Sequence, residues 1–170
     1  MVIGIVAIDR NLAIGKQGKL PWHYSADLKF FKQTTIGHAV VMGRRTWLSL
    51  QKPLKDRQNI VLSRSQDVNP GDGVIVMSDV DSVLEYANHR EGHLFIIGGA
   101  KVYESFQPHV QRWIVTEVPI AVEGADAFMP QNFLEGFELY EVRQLDEGLQ
   151  VKFYERNEFQ SSGGEPTFLT

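Results

Sequence analysis

A chain of 170 residues that is 43% hydrophobic and 22% charged has the size and composition of one globular domain, able to bury a core without disulfides or structural metals. It contains no cysteine, which excludes disulfides, thiolate nucleophiles and thiolate zinc sites. Its 17 basic and 21 acidic residues give a net charge of −4 without a basic stripe. That is the wrong balance for a nucleic-acid binder, which meets a polyanion.

The first strand is expected at Val2–Ile8. No basic stretch precedes it and it breaks at Asp9-Arg10, so it does not read as a secretory leader. No apolar run approaches the roughly 20 residues of a membrane helix. These features predict a soluble, cytoplasmic protein. Ser25 is the expected N-cap of a helix over Ala26–Thr35, in which Leu28, Phe31 and Lys32 recur at helical spacing. A strand at Ala39–Met42 then runs through Gly43 into a helix over Arg44–Leu50. Strands follow at Asn59–Ser63 and Val74–Met77. Ser78 or Asp79 is placed to cap a helix reaching about Asn88, with Val80, Val83, Leu84 and Ala87 on one face. A strand at Leu94–Ile97 meets Gly98-Gly99 and a helix over Ala100–Phe106, stopped before Pro108. Three more strands are expected at Arg112–Val118, Phe137–Gln144 and Gln150–Arg156.

Most of these strands are nearly continuous in apolar residues, as strands covered on both faces are. Strand–helix alternation over the first two-thirds predicts an α/β fold with a mostly parallel central sheet and helices on both faces. The all-strand final third predicts an antiparallel C-terminal edge. Residues 1–157 read as one domain and residues 158–170, rich in Ser, Gly and Pro, as a flexible tail.

Three places could carry chemistry. Asp27 falls in the first turn of its helix with Trp22, Leu28, Phe30 and Phe31 around it in sequence. An acid there is ordinarily a partner for the helix dipole. In an apolar pocket it would instead be held by donors or raised in pKa, and a protonated heterocycle with an adjacent amino group offers two donors as a fork. Next, the junctions at Gly43-Arg44-Arg45-Thr46 and Gly98-Gly99-Ala100-Lys101, with Ser63-Arg64 closing a third strand, suit an anionic ligand lying across the sheet's carboxyl edge. Each is also compatible with a plain turn and solvated arginines. Neither has the G-x-G-x-x-G or P-loop spacing, which weighs against standard dehydrogenase and kinase readings. Finally, Arg57, in the run leading into the third strand, could grip a carboxylate bidentately or simply lie on the surface. His89 and His93 are four apart with Gly92 between them, and no further ligand accompanies them, so no metal site is read.

Taken in order, several stretches resemble the dihydrofolate reductases: Ala13-Ile14-Gly15, Leu20-Pro21-Trp22, Asp27 to Lys32, Val41 to Trp47, Asn59 to Arg64, Ile96 to Tyr103 and Glu123-Gly124-Ala125-Asp126. Together they cover essentially residues 1–157. The resemblance implies an eight-stranded sheet and a cleft holding folate beside NADPH. It implies NADPH-dependent reduction of 7,8-dihydrofolate to tetrahydrofolate, with antifolates as inhibitors and a monomeric protein. It makes Asp27 the pterin-binding acid, bonding ring N3 and the 2-amino group, with Trp22 beside it as a second catalytic residue. Thr116 would support Asp27 through water. Ile5, Val6, Ala7, Leu28, Phe31, Lys32, Leu50, Leu54, Ile97 and Tyr103 would contact the substrate, and Arg57 its glutamate α-carboxylate.

The cofactor would be held by Ala7, Ile14, Gly15, Gly43, Arg44, Arg45, Thr46, Leu62, Ser63, Arg64, Ile97, Gly98, Gly99, Ala100, Lys101, Val102 and Tyr103. Arg64 and Arg44 would face the 2′-phosphate. The 98–99 peptide would be cis, and the loop from Asp9 to Tyr24 would be a lid over the nicotinamide. Ser25, Ala100 and an inserted Ala125 before Asp126 depart from the family pattern, the last at a position that supports the lid. Two other readings are an NADPH-dependent reductase of a ribosylated pyrimidine, which shares the fold, and a non-catalytic nucleotide-binding module.

Overall fold

Alternation along β1 (Val2–Ile8) divides the molecule into two apolar layers. Ile3 and Ile5 point into one, with Phe30, Val40, Met42, Val61, Phe95, Ile114 and Phe153. Val6 and Ile8 point into the other, with Val41, Ile60, Val83, Ile96, Val102, Phe106 and Trp113. The computed structural model describes residues 1–65, 68–69 and 71–157. The expected tail at 158–170 lies outside them.

The remaining elements are β2 (Ala13–Gly15), α1 (Ser25–Thr35), β3 (Ala39–Gly43), α2 (Arg44–Ser49), β4 (Gln58–Leu62), β5 (Val74–Met77), α3 (Val80–Asn88), β6 (Leu94–Ile96), α4 (Ala100–Phe106), β7 (Arg112–Glu117), β8 (Ala127–Phe128), β9 (Phe137–Gln144) and β10 (Gln150–Arg156). The eight-stranded sheet has the order β5-β4-β3-β6-β1-β7-β10-β9. Every pairing from β5 to β7 is parallel, and β10 runs antiparallel to both β7 and β9. Phe30 and Trp47 bring α1 and α2 to one face, while Val83 and Phe106 bring α3 and α4 to the other. The expected architecture is therefore the observed one. Gly4 is required in β1 because a Cβ there would lie 2.3 Å from the Trp113 ring.

Three local readings change. Ser25 does not cap α1. Tyr24 occupies the cap position without a side-chain bond, and the Glu147 carboxylate accepts from the Ala26 N–H at 3.2 Å instead. That partner is 121 residues away and follows only from tertiary packing. Of the two candidates for α3, Asp79 is the cap, accepting from the Ser82 N–H at 2.7 Å. The two-stranded ribbon of β2 and β8 was not anticipated, since three and two residues are too short to show a period.

Candidate active site

The parallel strands all end on one edge of the sheet, and β1 has a parallel neighbour on each side there, β6 and β7. Chain connections leave in both directions from such a point, which opens a crevice. A cleft of about 270 Å³ occupies it. Ile5, Val6 and Ala7 of β1 form its floor, with Ile14, Leu20, Leu28, Phe30, Phe31, Ile97 and Tyr103 around it. Its polar lining consists of Asp27, Thr46, Ser49, Thr116 and the Gly98-Gly99 backbone.

Among the described residues that line the cleft, Asp27 alone is charged. Burial pushes its carboxyl above the usual carboxylate value, and the polar side chain of buried Thr116 opposes that rise. Tyr103 lies across from it. Its hydroxyl donates to the Ile5 carbonyl at 2.7 Å. Burial, with the Asp27 charge nearby, pushes the phenol pKa far up, so Tyr103 stays neutral.

A second side of the site is built from the ends of β3 and β6. α2 and α4 begin at Gly43 and Gly99, and neither start has a side-chain cap. Gly43 donates its N–H to the Gly98 carbonyl at 2.9 Å, joining the two turns. The Gly98-Gly99 peptide is cis, and Gly98 has φ +114°. A Cβ on Gly98 would stand 3.2 Å from the Tyr103 ring, and one on Gly43 would meet Val102 at 3.0 Å. Val102 thus supports the turn from the core, where it is buried. Arg44, Arg45, Arg64, Lys101 and Lys32 are exposed. Ser63 holds the turn after β4, accepting from the Ser65 N–H at 3.2 Å, while Leu62 packs toward the core. Leu50 and Leu54 pack with Phe31, and the Arg57 guanidinium lies 5.9 Å from the Phe31 ring.

The loop between β1 and α1 is tied along its first half. Asp9, buried at the end of β1, accepts from the N–H groups of Asn11 (2.7 Å), Ala13 (2.8 Å) and Val122 (2.7 Å). Burial alone would raise its pKa, but these three bonds outweigh it and hold the carboxyl below its usual value. Asp126 accepts from the Gln17 N–H at 2.9 Å and donates its own N–H to the Gly15 carbonyl at 3.2 Å. Gly124, with φ +72°, turns the chain just before Ala125. Lys16 adds a bond from Nζ to the Glu123 carbonyl at 2.9 Å.

Trp22 packs with Val118 and Leu149 and is not among the residues lining the cleft, and its buried indole N–H has no partner among the described residues. Leu20, Phe30 and Ser49 line the cleft without having been anticipated. Asp9 had one legible signal, as the polar residue that ends the apolar run of β1. His89 and His93 do not converge: His89 Nδ1 bonds the Glu85 carbonyl, and His93 stacks on His38.

The chain matches the dihydrofolate reductase family model over residues 1–158. It is 38% identical to the dihydrofolate reductase of Bacillus subtilis over 131 residues, covering 77% of this chain and 76% of that one. Its identity to the Haemophilus influenzae dihydrofolate reductase is 36% over 145 residues, with 84% and 88% coverage. The Neisseria gonorrhoeae enzyme is 41% identical over 128 residues, with 75% and 77% coverage. Among solved structures, a dihydrofolate reductase from Enterococcus faecalis complexed with NADP(H) and RAB-propyl superposes with a TM-score of 0.85 at 36% identity. That match covers 93% of this chain and 97% of the other.

Proposed function

The chain belongs to the dihydrofolate reductase family, and we propose that its cleft carries out NADPH-dependent reduction of 7,8-dihydrofolate to 5,6,7,8-tetrahydrofolate. The observation that carries this reading is Asp27, a single raised-pKa carboxylate in an apolar cleft bounded by two glycine turns. The alternative substrate, a ribosylated pyrimidine, is not favoured by matches that all name dihydrofolate reductase.

The residues present fit NADPH. A Cβ at Gly43 or Gly98 would crowd Val102 or Tyr103, and the uncapped helix starts at Gly43 and Gly99 offer N–H groups to a pyrophosphate. Thr46 adds a hydroxyl, and Ala7, Ile14 and Ile97 form an apolar wall for the nicotinamide. Exposed Arg44, Arg45, Arg64 and Lys101 supply positive charge, with Arg44 and Arg64 assigned to the 2′-phosphate. When bound, NADPH supplies the hydride that reaches pterin C6.

The protein's part is position and electrostatics. Asp27 accepts from pterin N3–H and the 2-amino group as a fork. Ile5, Leu28 and Phe31 hold the ring and the benzoyl group, and Arg57 holds the glutamate α-carboxylate. Thr116 fixes the Asp27 carboxyl, and Tyr103, neutral and bonded to Ile5, keeps the floor rigid. Asp27 favours protonation of the pterin, and solvent delivers the proton to N5. The loop held by Asp9 and Asp126 limits water over the reacting atoms.

The same reading makes the protein a cytoplasmic monomer with no nucleic-acid partner, its domain spanning residues 1–157. The acidic balance and the lack of cysteine support it. Among the described residues, no helix is long and apolar enough to cross a membrane. Asp27→Asn tests the mechanism. Turnover at neutral pH should fall by about 10²-fold or more and recover in part as pH drops and the substrate arrives protonated. Unchanged neutral turnover in that variant removes Asp27 from the mechanism.

A further inference from the structure

Two buried polar side chains have no part in the mechanism above, and both bond the segment that carries Arg57. Thr35, the last residue of α1, is buried. Its hydroxyl donates to the Phe31 carbonyl at 2.8 Å and accepts from Arg57 Nη1 at 3.1 Å. Asn59, buried in β4, donates from Nδ2 to the carbonyls of Leu54 (2.9 Å) and Arg57 (3.0 Å), and its Oδ1 accepts from the Leu54 N–H at 2.9 Å. The guanidinium is held a second time, from Nε to the Lys55 carbonyl at 2.9 Å.

A hydrogen-bond count shows what this leaves. Arg57 has five N–H donors in a planar fork. Nε and one Nη1 hydrogen are engaged within the protein, while Nη2 and the second Nη1 hydrogen have no partner among the described residues. Of these three hydrogens, one on Nη1 and one on Nη2 make up the pair that an end-on carboxylate accepts bidentately. The Phe31 ring at 5.9 Å, itself part of the cleft wall, limits the plane's tilt.

We propose that Thr35 is a positioning residue: its hydroxyl, seated on the Phe31 carbonyl, fixes the Arg57 guanidinium so that its outer edge is presented to the carboxylate of the substrate's tail. Asn59 fixes the backbone from which that side chain springs. This rests on the assignment of Arg57 to the tail carboxylate. Thr35 acts through Arg57 and touches neither the pterin nor the reacting atoms, so its effect follows the tail and not the ring.

The experiment compares two substrates in the same enzyme preparation: dihydrofolate, and a dihydropterin that lacks the aminobenzoylglutamate tail. Thr35→Val keeps the shape and removes the hydroxyl, and Thr35→Ser keeps the hydroxyl. For Thr35→Val, the ratio of kcat/KM for dihydrofolate to that for the tailless substrate should fall about tenfold. The fall should lie in the KM for dihydrofolate, and Thr35→Ser should restore the ratio. An unchanged ratio, or equal losses on both substrates, overturns the proposal. Arg57→Ala separates the two levels of the argument. If it leaves the ratio unchanged, the assignment of Arg57 fails. If it lowers the ratio and Thr35→Val does not, only the positioning role fails.

Discussion

Asp27 is a carboxylate that water no longer surrounds, and the fold tolerates it because the cleft needs it. Its pKa is raised by burial, with Thr116 opposing the rise. The unfolded chain therefore binds fewer protons between the ordinary carboxyl value and the folded one. Stability falls as pH rises through that window and stays lower at neutrality. Asp27→Asn, which cannot ionise, should therefore raise the melting temperature at pH 7 by about 2–4 °C, with the gain fading below about pH 4. A variant less stable than the parent at pH 7 would mean that the charge is compensated in the absence of ligand. Asp27 was legible because an acid stands in a run of Leu28, Phe30 and Phe31. Thr35 and Asn59 were not, since a buried threonine and asparagine look the same in sequence as solvated ones. Trp22, assigned beside Asp27 by the family resemblance, packs with Val118 and Leu149.

Strands and helices place the site, but the loop over it depends on single side chains. Asp9 links the start of that loop to Val122 through three backbone N–H groups, and the Ala13 bond among them is buried. With its folded pKa lowered, its contribution is present above the unfolded value and is lost as pH falls through the folded one. Asp9→Ala should destabilise the protein by about 1–3 kcal/mol in denaturant titration, because buried donors lose their acceptor. Amide exchange at Asn11, Ala13 and Val122 should accelerate more than in the sheet. Uniform acceleration across β1 and β7 would show that the residue serves general stability alone. The long elements were readable because apolar runs and glycine turns repeat over many residues. The short β2–β8 ribbon and the cap that Glu147 lends to α1 were not, since each depends on partners far away in sequence.

Across the whole molecule the sheet separates two functions by its ends. The cleft lies at the carboxyl ends of the parallel strands, while His38, just before β3, and His93, just before β6, meet at the opposite end. Their rings stack at 5.0 Å, and the His93 N–H donates to His38 Nδ1 at 2.9 Å. Both pKa values are lowered, by burial first. Arg90 and the N-terminal amine then act on His38, and the amine, His38 and Arg112 on His93. The unfolded chain thus binds more protons once pH drops below about 6.5, and stability declines from there. The melting temperature should fall more steeply between pH 6.5 and 5 (roughly the histidine range) in the parent than in His38→Gln. Equal slopes would show that the pair titrates without strain.

The central claim concerns the other end of the sheet, and the most direct measurement is NADPH oxidation by the purified protein with 7,8-dihydrofolate. The account predicts loss of NADPH absorbance that requires dihydrofolate and stops when methotrexate is added. No turnover with dihydrofolate, together with oxidation driven by a ribosylated aminopyrimidine, would contradict it.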